Sequence, residues 1–433
     1  LKVENLKTEH LESPLGVDKP NPRLSWRMVS ANEGAAQNSY RLVVGCDSLK
    51  VSQGSGDVWD SGNRQSSQMS VRYGGEALQP RTRYYWQVAI TDEQGIEAKS
   101  EVASFETGKM SLDAWTGNWI SDNNSIEHSP APYFRKKFNV GKQVKQARLY
   151  VAVAGLYNLY LNGERMGDGM LEPVYTRFDR RNMYMTYDVT PYIRDKENVV
   201  GVVLGNGWYN HQALAVWNFD VAPWRDRPAF CLDLHLTYDD GTEEVVSTDL
   251  SWRSTDKGPL VRNNIYTGEH YDFTKELNGW SLPNYDDSKW GGVKLRSLPS
   301  EQITSQQMRP IRACQEYEAV KFSELSEGVY LYDFGYNMAG VALIKVRGEK
   351  GTVVKLRHGE RLSKDGRLDQ SNIDVYYRGD KDKDPFQTDV LTLSGGEDEF
   401  MSAFNYKGFR YVQIEASAPI QLDEGSLVVY FVH

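Results

Sequence analysis

The stretch from Trp208 to Pro228 gathers side chains that can together hold a sugar: Trp208, Tyr209, Asn210, His211, Trp217, Asn218, Asp220, Trp224, Arg225 and Asp226. A sugar ring offers an apolar C–H face, which packs on an indole or phenol. Its vicinal hydroxyls bond in pairs to amides and carboxylates. The loop carries both kinds of group. The same residues would also make a surface loop stabilised by its own rings, and both readings stay open.

Other residues of reactive type are weaker candidates. Glu269 and Asp272 invite a glycosidase reading, since two carboxyls flanking a bond are what glycoside hydrolysis needs. Residues three apart on a strand point to opposite faces, so a structural role is expected instead. His358, in His358-Gly359-Glu360, is expected as a satisfied residue of a sandwich. Gly205-Asn206-Gly207-Trp208 contains G-x-G but lacks the third glycine and the following helix of a dinucleotide site. No Walker lysine loop, H-E-x-x-H or G-x-S-x-G occurs. Cys46, Cys231 and Cys314 are far apart with no C-x-x-C pair, which argues against a thiolate metal site and a disulfide framework.

The elements that must position these residues read as strands almost everywhere. Short runs of β-branched and aromatic residues alternate with turn clusters, which predicts an all-β chain of serial sandwiches. In Arg148 to Asn162, Leu149, Val151 and Val153 share one face. Beyond Gly155, Tyr157, Leu159 and Leu161 share another, and Asn162-Gly163 supplies a tight hairpin turn. Asp239-Asp240-Gly241 does the same between Leu232–Leu236 and Glu244–Val246.

The 433 residues exceed one ordinary domain. Three segments are expected: 1–108, 115–298 and 299–433, with Lys109 to Ala114 as a short linker. In the first, Leu78-x-Pro80-x-Thr82-x-Tyr84 has the spacing of the tyrosine corner of fibronectin type III domains, where the ring packs inward and its hydroxyl bonds backbone upstream. Trp26 would be the core tryptophan of an earlier strand.

Charge and hydropathy narrow the partners. The net charge is −9, and no block of Lys or Arg interrupts the chain, so the electrostatic footprint of a nucleic-acid binder is missing. No apolar run approaches the ~20 residues of a membrane helix. The chain opens at Leu1, without Met or an apolar leader, and reads as a mature or trimmed product.

The second and third segments resemble the N-terminal modules of glycoside hydrolase family 78, the bacterial α-L-rhamnosidases. The resemblance is carried by Tyr157–Asp168 with Leu171-Glu172-Pro173, by Tyr187–Thr190, by Leu204–Tyr209, by Ile265–Asp272 and by Asp286–Trp290. It continues in Asp333–Gly340, His358–Glu360 and Gly408–Val412, in order across the chain. It implies a carbohydrate-binding-module-like sandwich at 115–298 and a concanavalin-like one at 299–433. In the family these precede an (α/α)6 barrel that carries the catalytic carboxylates. The family's Asp-Cys-Pro and Arg-Asp-Glu motif is absent here, and no long helical stretch occurs, so no catalytic residue is expected in this chain.

The resemblance further implies a secreted, periplasmic or cell-surface protein, with rhamnose-containing glycans and the catalytic barrel as partners. It assigns carbohydrate contact to Asp168, Trp208, Trp217, Asn218 and Trp224. No cofactor is required. Some family modules bind rhamnose with Ca²⁺, which takes six to eight oxygens. Asp168, Asn218, Asp220 and the Pro223 carbonyl are the candidate ligands, although Gly169 stands where a second polar ligand is expected.

Overall fold

The structure, a computed structural model, describes residues 1–379 and 385–433. It divides into two units. The first comprises Leu1–Trp115 with Met183–Tyr187 and Gln302–Arg309, and the second holds the remainder.

The first unit is a β-sandwich. One sheet orders Lys2–Thr8, Arg23–Val29 and Ser70–Arg72. The other orders Trp59–Asp60, Gln37–Gly45, Arg83–Asp92 and Glu97–Lys99. Alternate residues of these strands (Leu24, Trp26, Leu42, Val44, Tyr84, Trp86 and Val88) form one buried core. The Trp26 indole N–H reaches Gln37 Oε1 at 2.9 Å, so burying the ring strands no donor. The Tyr84 hydroxyl accepts the Gln79 backbone N–H at 2.8 Å, the upstream bond that the corner spacing implies. The segment read as a linker is tied down. Lys109 is buried, with Nζ donating to the Ala114 carbonyl at 2.9 Å and lying 4.9 Å over the Trp115 ring.

In the second unit one sheet runs Glu164–Arg165, Leu156–Leu161, Lys196–Gly205, Tyr133–Val140, Arg253–Thr255 and Gly291–Gly292. A second contains Lys294–Leu295, Ile120–Ser121, Ala229–Tyr238 and Val144–Ala154 in that order, with Glu243–Ser247 also paired to Ala229–Tyr238. The rings of Phe134 and Phe230, one from each sheet, meet edge to face at 5.1 Å. Leu161 pairs with Glu164 around Asn162-Gly163, both with positive φ, as a two-residue hairpin requires. The Asp240-Gly241 turn likewise joins two paired strands.

The strand Val144–Ala154 departs from its pattern. Alternation suggests one covered face, yet every residue from Ala147 to Ala154 is buried, Arg148 and Tyr150 included. Arg148 tolerates this because its guanidinium pairs with Asp188 at 2.8 Å.

Eleven further strands form one large sheet. Its longest member, Val329–Gly348, pairs through its first part with Lys407–Ala416 and through its second with Leu427–Val432 and Glu397–Met401. From Gly340 onward it pairs with Leu427–Val432, and its pairing with Lys407–Ala416 is broken by a register shift between Asp333 and Met338. Gly335 turns there at φ +78°, and its N–H bonds Asp333 Oδ1 at 2.8 Å. An interruption of this kind lets one strand serve both layers of a sandwich.

The hairpin Leu260–Asn264 and Gly268–Asp272 lies within the segment read as 115–298. It nevertheless joins this sheet, with Gly268–Asp272 pairing parallel to Thr388–Thr392. This pairing places Glu269 beside Asp389 and Lys407 in a buried polar cluster. Asp389 accepts the Glu269 backbone N–H at 2.9 Å and pairs with Lys407 Nζ at 2.7 Å.

Candidate functional site

The loop after Lys196–Gly205 begins in a turn that needs its glycines. A Cβ on Gly205 would lie 2.4 Å from the Phe404 ring, and Gly207 has φ +50°. Asn206 fastens the turn by donating its backbone N–H to Asn263 Oδ1 at 2.7 Å and its amide to the Asn263 carbonyl at 3.0 Å. The G-x-G pattern here is thus a close approach between modules.

Beyond it the loop's rings separate into two groups. Trp208 is half-buried, stacked on His211 at 5.5 Å, tilted onto Phe219 at 4.7 Å and edge-on to Tyr266 at 5.1 Å. Trp224 joins this inner cluster by donating its indole N–H to the Trp208 carbonyl at 3.1 Å. Burial, with Arg225 nearby, pushes the fully buried His211 imidazole down to about 4, so it is neutral at pH 7.

Trp217 is different. It is 56% exposed and lies parallel to Tyr376, with centroids 6.2 Å apart and planes 11° from parallel. A short ladder sets this shelf. The Val216 N–H donates to the Tyr376 carbonyl at 3.0 Å, and the Arg378 N–H donates to the Leu214 carbonyl at 2.7 Å. Arg378 Nη2 then reaches Asn218 Oδ1 and the Ala215 carbonyl, both at 2.9 Å. The result is a two-ring platform with a guanidinium and an amide at its edge. Tyr376 and Arg378 escape sequence reasoning, because nothing local links them to a loop far upstream.

The far end of the loop is anchored by Arg227, which is buried. Its guanidinium binds Asp122 through Nε at 2.9 Å and Nη2 at 2.7 Å, and also donates to the His128 and Pro130 carbonyls. Burial works against the Asp122 charge, but Arg227 holds that carboxyl below its ordinary range.

Asp168 sits elsewhere. It lines a cleft with Asn158, Arg165 and Tyr160, and its carboxylate pairs with Arg312 at 2.8 Å. Asn218, Asp220 and Pro223 stay on the loop, where the Asn218 amide oxygen already accepts from Arg378. Asp220 Oδ1 is buried with no hydrogen-bond partner, and Pro223 is exposed. None of these three lines the cleft that Asp168 lines, and no group of three or more His, Cys, Asp or Glu among the described residues forms a metal cluster. This donor set does not fit a cation that requires six to eight converging oxygens.

Glu269 and Asp272 are also apart in role. Both Glu269 oxygens accept the Ala403 N–H, and Oε1 accepts the Phe404 N–H as well. Burial, reinforced by the Asp389 charge, pushes Glu269 up to about 7. Asp272 instead caps a short 3-10 turn through the Thr274 N–H. His358 is fully buried, with Nδ1 near the Gln387 carbonyl at 3.2 Å and Nε2 unpartnered, and burial pushes it down to about 3.

Sandwich follows sandwich through the described residues, which defines a modular all-β protein. Three family models cover most of its length. The Rha78A-like N-terminal immunoglobulin domain matches residues 3–111, the alpha-L-rhamnosidase N-terminal domain 142–315, and the bacterial alpha-L-rhamnosidase concanavalin-like domain 323–433. The chain belongs to the bacterial α-L-rhamnosidase family, glycoside hydrolase family 78, and corresponds to its N-terminal region.

An α-L-rhamnosidase of Alteromonas sp. (strain LOR) is 34% identical over 441 residues, covering 97% of this chain and 46% of its own length. The solved α-L-rhamnosidase of Dictyoglomus thermophilum superposes with TM-score 0.90 at 35% identity, over 100% of this chain and 48% of its own. That of Streptomyces avermitilis, complexed with L-rhamnose, superposes with TM-score 0.90 at 26% identity, over 100% and 57%. The chain spans about half the length of the curated relatives it matches. The sequence match to the Streptomyces relative runs over 588 residues against 433 here, so that relative carries inserted residues that this chain lacks.

Proposed function

We propose that this chain is a non-catalytic region of an α-L-rhamnosidase that holds rhamnose-containing glycans for a catalytic barrel. The observation that carries this reading is the Trp217–Tyr376 shelf, two parallel exposed rings with Arg378 and Asn218 at the edge. A pyranose laid on Trp217 would place its C–H face on the indole and its hydroxyls towards the guanidinium and amide. Trp208 and Trp224 belong to the inner ring cluster of the same loop, both packed on Phe219. Glu269, whose carboxyl accepts the Ala403 and Phe404 N–H groups, has a structural role on this reading. Among the described residues no helix is long and apolar enough to cross a membrane.

A purely structural reading has its own observation. Leu214, Val216, Val221 and Val375 are exposed around the shelf and would suit contact with another module. Titration calorimetry separates the two. L-Rhamnose should bind with Kd of about 0.1–1 mM, or roughly 4–5.5 kcal/mol. Trp217→Ala should weaken binding at the shelf at least about tenfold. No heat up to ~20 mM sugar, well beyond that affinity range, would leave the structural reading in place.

A further inference from the structure

The cleft that contains Asp168 is a cavity of about 390 Å³, lined by the sheet of Leu156–Leu161 and Tyr133–Val140 and by the eleven-stranded sheet. Pockets for small ligands begin at roughly this size, about 300 Å³. Tyr133 and Tyr160 come from the two strands that flank Lys196–Gly205, Tyr271 from the hairpin that joins the large sheet, and Trp280 from the loop beyond it. Trp280 meets Tyr133 and Tyr160 edge to face, each at 5.3 Å. Its backbone is pinned from behind by Arg135, which is fully buried and donates to the Trp280 and Leu282 carbonyls at 2.9 Å. The ring wall is therefore preformed.

The polar groups that face this wall are partly uncommitted. The Tyr160 hydroxyl meets no protein partner among the described residues, although its ring is largely covered. Glu276 takes the Tyr271 hydroxyl on Oε1, at 2.5 Å, and leaves Oε2 available. Arg165 is held at the rim by Asn158 Oδ1 at 3.1 Å and the Gly169 carbonyl at 2.6 Å. Arg165 and Glu276 bring opposite charges to the lining, Asp168 is paired with Arg312 at 2.8 Å, and Glu269 is taken up by the Ala403 and Phe404 N–H groups. A ring wall, a free phenol, a carboxylate oxygen and balanced charge suit a neutral ligand with many hydroxyls. An ionic ligand would leave one of these charges unpaired.

We propose that this cleft is a binding pocket for one neutral pyranose, packed against Trp280 and hydrogen-bonded by Tyr160 and Glu276. It is separate from the Trp217–Tyr376 shelf, so the two sites stand or fall independently. The test is calorimetric titration of the whole chain carrying Trp217→Ala with L-rhamnose, D-galactose and the open-chain polyol sorbitol. The expected result is residual one-site binding of at least one pyranose, weakened tenfold or more by adding Tyr160→Phe or Glu276→Gln. Circular dichroism and unfolding midpoints should be unchanged, since neither group carries the core. The proposal is overturned if Trp217→Ala removes all pyranose heat, if both added variants bind as before, or if sorbitol binds as well as the sugars. Loss of binding in Trp217→Ala alone would overturn the pocket and leave the shelf intact. Residual binding with an unaltered wild-type affinity would do the reverse.

Discussion

Replacing Lys407 with Met should destabilise the second unit by about 3–5 kcal/mol, the range for a buried ion pair broken on one side. Lys407 and Asp389 are 2% and 3% exposed, and the ammonium lies 2.7 Å from the carboxylate. Nζ also donates to Ser402 Oγ at 3.2 Å and to Asn405 Oδ1. Burial opposes the Asp389 charge, and Lys407 is the first group that holds the carboxyl below its ordinary range. Without the ammonium, Asp389 would be left with the Glu269 N–H and the Ser402 hydroxyl, beside a second buried carboxyl. Met fills much of the lysine volume, so the loss would be electrostatic and not a cavity effect. Adding Asp389→Asn should recover part of it, because the uncompensated charge is then gone. Urea unfolding of the two variants checks this. A Lys407→Met midpoint equal to wild type would mean that the pair is not a buried support of this unit.

Arg227→Met should cost a similar amount, about 3–5 kcal/mol, for the same reason. The guanidinium is 1% exposed and its partner Asp122 is 4% exposed. It differs from Lys407 in tying down the candidate loop as well. Four hydrogen bonds to Asp122, His128 and Pro130 end the segment that begins at Trp208. Arg227→Lys should rescue only part, since an ammonium cannot reproduce the two-pronged contact with Asp122. Thermal unfolding gives the stability, and limited proteolysis should show new cleavage between Trp208 and Pro228. A loop as resistant as wild type in Arg227→Met would separate the loop's order from this anchor.

Local chemistry was readable where it depends on neighbours in the chain. The Asn162-Gly163 and Asp240-Gly241 turns fall where the sequence puts them, with Asn162, Gly163 and Gly241 at positive φ. The Tyr84 hydroxyl finds backbone five residues upstream because the corner is a local motif. What depends on distant partners was not readable. Alternation in Gly268–Asp272 marks a strand, but cannot show that it pairs parallel to Thr388–Thr392 in another segment's sheet. Leu149, Val151 and Val153 alternate correctly, but the covering of Tyr150 and Ala152 comes from outside the strand.

The site divides in the same way. Tryptophans 208, 217 and 224 look equivalent in a loop, and only the fold sends two inward and leaves Trp217 exposed over Tyr376. Asp168 and Asn218 are joined only by the family resemblance. Their guanidinium partners, Arg312 and Arg378, draw them to different surroundings.

On the proposed function this chain holds a rhamnoside without cleaving it. Saturation-transfer NMR on the 433-residue protein with an aryl α-L-rhamnoside tests both halves at once. The expected spectrum shows transfer to the sugar-ring protons, reduced in Trp217→Ala, with no anomeric signals of free L-rhamnose growing in. Release of free rhamnose at a rate abolished by Glu269→Gln, or no transfer to the sugar at all, would contradict it.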